Sequence, residues 1–430
     1  MRSLSAAGGS GTSLRSVSTA NWWSTPASSN GCGLGRHLAA RLPVSCFRTT
    51  CRRHSPRCAL ARLRAEAPPL LLPMADAPLT ALGRTGHDAS PLAQAGQEGN
   101  DHPFWLAMRV VVTGASGFIG SQLCSHLRSL RNEVFKIDLP HDDILETDSL
   151  TRTLERARPD RIFHLAARSS VSASWRDPVP TWRTNAWGTL SLLKAARSAA
   201  PSARILVVSS ASVFDGARCD RPIVEARAPT PLSPYGASKL AAETVARSYG
   251  AAHGLQVVVV RPFNIIGPSQ GPDFLVPSLA RRIVSAARSS PEGIAVGNLQ
   301  TQRDFLDVRD AVRGLIRVME LGRRGEVYNL CSGIAVPIRS LVETLLCLAD
   351  RPLAYHQDHG LLRAGDAPYL VGDPGMTGSR TGWRPTIPLV TTLADVLAEA
   401  AAAASKERRP RVGNACRATV PASEHNDGTG

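Results

Sequence analysis

Twelve residues, Arg109 to Gly120 reading RVVVTGASGFIG, restrict the folding choices of this chain more than any other stretch. The apolar run Val110–Val112 is β-branched and short, as a buried parallel strand requires. It runs directly into glycines at 114, 117 and 120, then into a helical repeat of Leu123, Leu127 and Leu130. A strand, a glycine-rich turn and a helix in that order open a βαβ unit. Gly114 permits the tight turn, Gly117 lets a charged ligand group approach the backbone, and Gly120 lets the helix pack close to the strand. The N–H groups and positive end of the new helix then face a phosphate. A second strand, 133–138, ends in Asp138, 18 residues after Gly120. A carboxylate there accepts from the ribose hydroxyls of an adenosine. The pattern implies a dinucleotide-binding turn.

Between Met108 and about residue 399, strands and helices alternate as a doubly wound sheet requires. Strands are expected at 109–113, 133–138, 161–165, 204–209 and 256–261, and helices at 118–131, 148–157, 179–199 and 234–253. The fold class is α/β, a Rossmann doubly wound parallel sheet with its ligand across the carboxyl ends of the strands. After Pro262, Gly and Pro interrupt short apolar runs. This marks 108–262 as the dinucleotide-binding domain and 263–400 as mainly a smaller C-terminal substrate-binding lobe.

The flanks read differently. Up to Arg64 there is no Asp or Glu, while Ser, Arg, Ala and Gly abound. Residues 1–107 are expected to be a disordered extension, with the composition of a transit peptide or of a region translated upstream of the true start. Met108, just before the first strand, favours the second origin. The polar stretch 401–430 is expected to be a disordered tail. With 43 % hydrophobic and 20 % charged residues, the composition is that of a globular protein, and no apolar run reaches the length of a membrane span. The net charge of +15 comes from scattered Arg and partly from the first hundred residues, so no nucleic-acid partner is expected. Nine cysteines form no CxxC pair and no zinc spacing. They read as reduced thiols, with no metal site and a cytoplasmic location.

A second constellation is Tyr235-Gly-Ala-Ser-Lys239, on the helix expected from Pro234. Tyr and Lys at i and i+4 share a helical face, and an ammonium near a phenol lowers its pKa towards working pH. Tyr235 is then a usable proton donor and acceptor. Ser209-Ser210 ends the preceding strand at the ligand edge of the sheet, where a hydroxyl can hydrogen-bond the reacting oxygen.

From Met108 to about residue 398 the chain resembles the extended short-chain dehydrogenase/reductases, the NAD-dependent epimerase/dehydratase family, which act on nucleotide sugars. Ten motifs in family order carry the resemblance: TGASGFIG (113–120), HDDILETD (141–148), HLAA (164–167), TNAWGTL (184–190), SSASVF (209–214), SPYGASK (233–239), RPFNIIGP (261–268), RDFLDVRD (303–310), VYNLCSG (327–333) and RAGD (363–366). The resemblance implies that Ser210, Tyr235 and Lys239 are the catalytic triad, with Tyr235 and Lys239 also touching the cofactor. Around the dinucleotide it implies Gly114, Gly117, Phe118, Ile119, Gly120 and Asp138, with Asp143 and Ile144 at the adenine, and Leu165, Ala166, Ala167 and Asn185 along its length. Ser210, Asn264, Arg303 and Arg363 would face the nucleotide sugar, and Arg suits its diphosphate because it bonds phosphate oxygens bidentately.

Family dehydratases carry an acid just after the catalytic hydroxyl, whereas Ala211, Ser212 and Val213 follow Ser210. The stretches 261–283 and 296–310 are most similar to GDP-4-dehydro-6-deoxy-D-mannose reductases, which implies reduction of a C4 ketone of a GDP-linked sugar with NAD(P)H. A nucleotide-sugar 4-epimerase with tightly bound NAD uses the same triad, and a non-catalytic NAD(P) sensor or scaffold is the alternative of another class. Phe214-Asp215 departs from the family's frequent Tyr-Gly. Asp138 favours NAD, while Lys136 and Arg109 leave NADP open. The resemblance also implies a homodimer through the helices at 179–199 and 234–253.

Overall fold

The computed structural model describes residues 108–217, 220–286, 293–351, 353–362 and 367–407. The extension 1–107, nearly all of the tail and Arg363 lie outside the described residues.

Six strands form the main sheet: β1 (Arg109–Thr113), β2 (Glu133–Ile137), β3 (Arg161–His164), β4 (Arg204–Val208), β5 (Gln256–Pro262) and β6 (Val327–Leu330). Their order is β6-β5-β4-β3-β1-β2, and every neighbouring pair is parallel. Successive side chains of a strand point to opposite faces, so the Val and Ile runs are split between two layers. Val110, Val112, Phe163, Leu206 and Val258 bury one face against α1 (Phe118–Ser129) and α8 (Val308–Leu321). Val111, Ile162, Ile205 and Val257 bury the other against α2 (Thr147–Ala157), α5 (Gly188–Ala199) and α6 (Pro234–His253). The chain reverses its direction of winding between β1 and β3, which opens a crevice at their carboxyl ends.

A separate core joins α7 (Leu275–Ser285), α9 (Ile338–Leu348) and α11 (Leu389–Glu407) through Leu279, Ile283, Leu341, Leu345, Leu393 and Val396. A short helix α10 (Gly375–Thr381) precedes α11.

The described elements refine three expectations. Residues 263–400, expected to be mainly a lobe, also contribute α8 and β6, which complete the sheet beside β5. The four buried residues of β6 are too few to show a period. Second, the helix expected over 179–199 forms as one continuous run from Pro178 to Ala199, made of α4 (Pro178–Trp182), a π-turn (Arg183–Trp187) and α5, with α3 (Val171–Arg176) before it. Asp177 caps α4 through Val179 N, and Pro178 sits in its first turn, so the chain restarts there. Third, α11 runs through residue 401, where the tail was expected to begin.

Gly120 shows how tightly the first turn is built. A Cβ there would stand 2.0 Å from Gly114 O and 2.9 Å from Ala115 Cα, both backbone atoms that cannot yield. Gly254, at the end of α6, has φ +75° but open space around it. We expect Gly120→Ala to cost about 3 kcal/mol or more by overpacking, against about 1 kcal/mol for Gly254→Ala, in urea unfolding. Equal losses would mean that backbone conformation, not contact, decides both.

Candidate active site

Gly114 takes φ +69° and donates its N–H to Ile137 O at 3.1 Å. A Cβ on it would lie 2.7 Å from Ala166 N, so the β1–α1 turn rests against the loop after β3. Gly117 starts α1 with no side-chain cap, which leaves the first N–H groups of the helix without a side-chain acceptor. Asp138, directly after β2, accepts a hydrogen bond from Ser116 N and so sits beside the glycine turn. An uncapped helix start and a carboxylate at the tip of the next strand suit the pyrophosphate and ribose of a dinucleotide. Phe118 and Ile119 are half-buried and pack on the sheet core. Arg109 lies at the opposite end of the strand pair, held by Glu133 at 3.4 Å, with its guanidinium over Phe135. It therefore does not offset Asp138, contrary to the sequence expectation.

The remaining expected cofactor residues divide. Leu165, Ala166 and Ala167 are half-buried on the loop after β3, with Leu165 and Ala166 bonded through their N–H groups to Thr113. Asp143 uses Oδ1 to accept from Leu145 N at 2.9 Å. Ile144 is buried in the core, where its side chain fills the space left by Gly188. Asn185 is 1 % exposed, and its amide is committed to the framework: Oδ1 accepts from Arg168 N, while Nδ2 donates to Arg168 O and Ser238 Oγ. The side chains of Ile144 and Asn185 thus also hold the walls of the site together.

Ser233 caps α6 by accepting from Gly236 N, and Pro234 occupies its first turn. A Cβ on Gly236 would lie 2.4 Å from Ser212 O, so the helix touches the 3₁₀ turn Ala211–Phe214 that follows Ser210. That contact brings the Ser210 hydroxyl into a hydrogen bond with the Tyr235 phenol. Burial raises the phenol's pKa; the Ser210 bond acts against this, and the Asp215 carboxylate adds to it. Lys239, 5 % exposed, donates from Nζ to Val208 O at 2.6 Å. Burial pushes its pKa down to about 8. The expectation that Lys239 lowers the Tyr235 pKa is not met: burial and Asp215 prevail, and the ammonium is drawn to the strand carbonyl.

Asp215 was not expected at this site. It ends the 3₁₀ turn and accepts from Ser233 Oγ at 2.9 Å, tying the Ser210 segment to the cap of the Tyr235 helix. Its position in a departure from the family motif was the available signal. We expect Asp215→Asn to keep the Ser233 bond while lowering the Tyr235 pKa, moving the alkaline limb of the kcat profile to lower pH. An unmoved limb would remove Asp215 from the electrostatics of the site.

Behind these groups Arg261 and Glu243 form a buried pair, 2.6 Å between Nη2 and Oε1, and Ser209 Oγ donates to Glu243 at 3.1 Å. The charge interrupting the apolar run of β5 was the sequence signal. On the lobe side, Asn264 Nδ2 donates to Asp304 O at 2.8 Å. Arg303 Nη1 donates to the carbonyls of Gln302 and Ala367. The acids of the same motif are framework groups: Asp304 binds Ser332, Gly333 and Gly372, Asp307 binds Arg309 and Thr392, and Asp310 binds Thr386 and Ile387.

Residues 110–331 match the model of the NAD dependent epimerase/dehydratase family. The chain is 36 % identical to the GDP-6-deoxy-D-mannose reductase of Pseudomonas aeruginosa over 68 % of its own length and 97 % of that protein. The solved structure of RMD from Pseudomonas aeruginosa complexed with NADPH matches with a TM-score of 0.63 and 35 % identity, covering 69 % of this chain and all of that one. UDP-glucose 4-epimerase from Thermus thermophilus, complexed with NAD, matches with a TM-score of 0.61 at 26 % identity over 68 % of this chain and 99 % of the other. The family model spans the strands from Val110 in β1 to β6 and the turn that carries Ser210, and the chain belongs to the NAD dependent epimerase/dehydratase family.

Proposed function

We propose that this protein reduces the C4 ketone of a GDP-4-dehydro-6-deoxyhexose, with NAD(P)H as reductant. The observation that carries the reading is a buried Tyr235 phenol, bonded to Ser210 and held in its protonated form at neutral pH. A ketone reduction consumes a proton, and a protonated phenol at the crevice is the group to give it. The similarity to a GDP-6-deoxy-D-mannose reductase over nearly that protein's whole length supports the GDP sugar.

The glycine turn, the start of α1 and Asp138 would hold the dinucleotide, which supplies a hydride when bound. Ser210 donates a hydrogen bond to the substrate's C4 oxygen and orients it towards Tyr235. Tyr235 releases its proton to that oxygen as negative charge develops there. Lys239, one helical turn on and anchored through Nζ to Val208 O, is assigned to the cofactor. Asn264, Arg303 and Arg363 are assigned to the nucleotide sugar, and Asp143, Leu165, Ala166 and Ala167 to the cofactor walls. Asp138 favours a free 2′-hydroxyl, hence NAD over NADP.

The test is to incubate the protein with GDP-4-dehydro-6-deoxymannose and NADH or NADPH, following coenzyme oxidation and product. Stoichiometric oxidation is expected, and none with either coenzyme would sink the reading. Interconversion of 4-epimers without added reductant would identify an epimerase instead, the reading favoured by the UDP-glucose 4-epimerase likeness.

A homodimer is part of the proposal. Trp175, Val179, Trp182 and Trp187 on α3, α4 and the π-turn expose apolar side chains at 55, 62, 42 and 59 %. A second copy would cover them. By contrast, Leu192, Leu193, Ala195 and Ala196 of α5 are buried in this chain's own core. Light scattering should give twice the chain mass, and a monomer at micromolar concentration would refute the dimer. No described helix is long and apolar enough to cross a membrane.

A further inference from the structure

His164 is 3 % exposed at the carboxyl end of β3, and no catalytic step uses it. Its Nδ1 lies 2.8 Å from Thr113 Oγ1 and its Nε2 lies 2.9 Å from Thr189 Oγ1. The direction of each bond follows from the neighbours. Thr189 Oγ1 donates its one proton to Asn185 O at 2.6 Å, a carbonyl that can only accept. Towards His164 it must therefore accept, so Nε2 carries the ring proton. Nδ1 is then bare and accepts from Thr113, whose oxygen in turn accepts from Ala166 N at 3.1 Å. Burial, and secondarily the charge of Lys239, push the His164 pKa down to about 3, so the ring is neutral. Lys239 of α6 is the charged group whose field reaches it, while β1 and α5 present Thr113 and Thr189.

The chain of bonds continues beyond Asn185. Its Nδ2 donates to Ser238 Oγ at 2.9 Å, and Ser238 Oγ donates to Tyr235 O at 2.7 Å. One end of the series is the N–H of the loop that rests on Gly114, and the other is the backbone of the proton donor. We propose that His164 is a positioning residue, an uncharged link that fixes the cofactor-side loop and the Tyr235 helix at one distance from each other. A protonated ring would present N–H groups to both threonines, while Thr189 keeps its proton on Asn185 O. Thr113 would have to turn its hydroxyl away, and the new charge would oppose the Lys239 ammonium.

The experiment uses the full chain and breaks the series on either side of His164 without altering the ring itself. The role of His164 rests on the proposed reaction for its kcat readout alone. Thr189→Val should lower kcat about tenfold, the effect of one lost buried hydrogen bond, with dinucleotide affinity within about threefold of wild type. Thr113→Val should weaken dinucleotide binding about tenfold and change kcat less. Thr189→Ser should restore kcat. Losses of kcat and affinity together in both variants, or no rescue by Ser, would reduce His164 to a structural residue. Nitrogen NMR of the His164 ring supplies a readout independent of turnover. A neutral ring protonated on Nε2 at pH 6 is expected, and an imidazolium or Nδ1-protonated ring would overturn the proposal. If wild type oxidises no coenzyme on GDP sugars while the NMR signature and the Thr113→Val binding defect hold, the proposed reaction fails and the link stands.

Discussion

Tyr235→Phe is expected to lower kcat by three orders of magnitude or more and to leave dinucleotide affinity within a few-fold. General acid catalysis is worth about 10² to 10⁴, and the substitution also removes the hydroxyl that anchors Ser210. The backbone of residue 235 is fixed independently, by its N–H to Ser174 Oγ and its carbonyl from Ser238 Oγ, so the helix should stay in place. The ring is 8 % exposed and Phe preserves its packing, so unfolding stability should change little. Stopped-flow turnover and titration with NADH separate the two quantities. A variant with near-normal turnover would take Tyr235 out of the chemistry, and one that lost dinucleotide binding would make its role positional.

The second large effect is on stability in acid. His164 titrates at 6.5 when exposed and at about 3 in the fold. Between those values the unfolded chain binds one proton more than the native chain, so stability rises with pH through the window. The contribution is complete above about pH 6.5 and is lost as pH falls towards 3, in total about 5 kcal/mol. Asp307 is held below the usual carboxylate range by Arg309 and Thr392 against the opposing effect of burial, and its loss falls lower, below pH 4. Glu225 and Asp304, whose carboxyl pKa values burial raises, act in the opposite sense, so the difference between wild type and variant isolates the histidine. Between pH 6.5 and 5 His164 should account for a loss of about 2 kcal/mol in urea unfolding, and His164→Gln should remove that share of the slope whatever its absolute stability. An equal slope in the variant would assign the acid sensitivity to other groups.

The sequence carried the sheet because its signals are local. Val110–Val112, the three glycines and Leu123 with Leu127 each state a strand, a turn or a helix face within a few residues. The strand end at Ser210 and the start of the helix that carries Tyr235 and Lys239 were legible for the same reason, since each is stated by neighbouring residues. What escaped depends on long-range contact. Asp215 acts through Ser233, and His164 through Thr113 and Thr189. That Arg168 and Ser238 also claim the Asn185 amide was not legible for the same reason. The direction of the Lys239 ammonium could not be read either, because the carbonyl that captures it lies 31 residues earlier on β4. Periodicity also hid the π-turn, where the helical spacing slips by one residue between Trp182 and Gly188.

The late arrival of β6 has a consequence during synthesis. A nascent chain that has emerged only as far as Pro262 has β5 as a bare rim, with one row of backbone N–H and C=O groups lacking the neighbour that Val327–Leu330 will provide. Some 65 further residues must leave the ribosome before that rim is closed. A fragment cut at the apparent boundary would therefore be prone to stick to its own copies, and the two layers must mature as one unit.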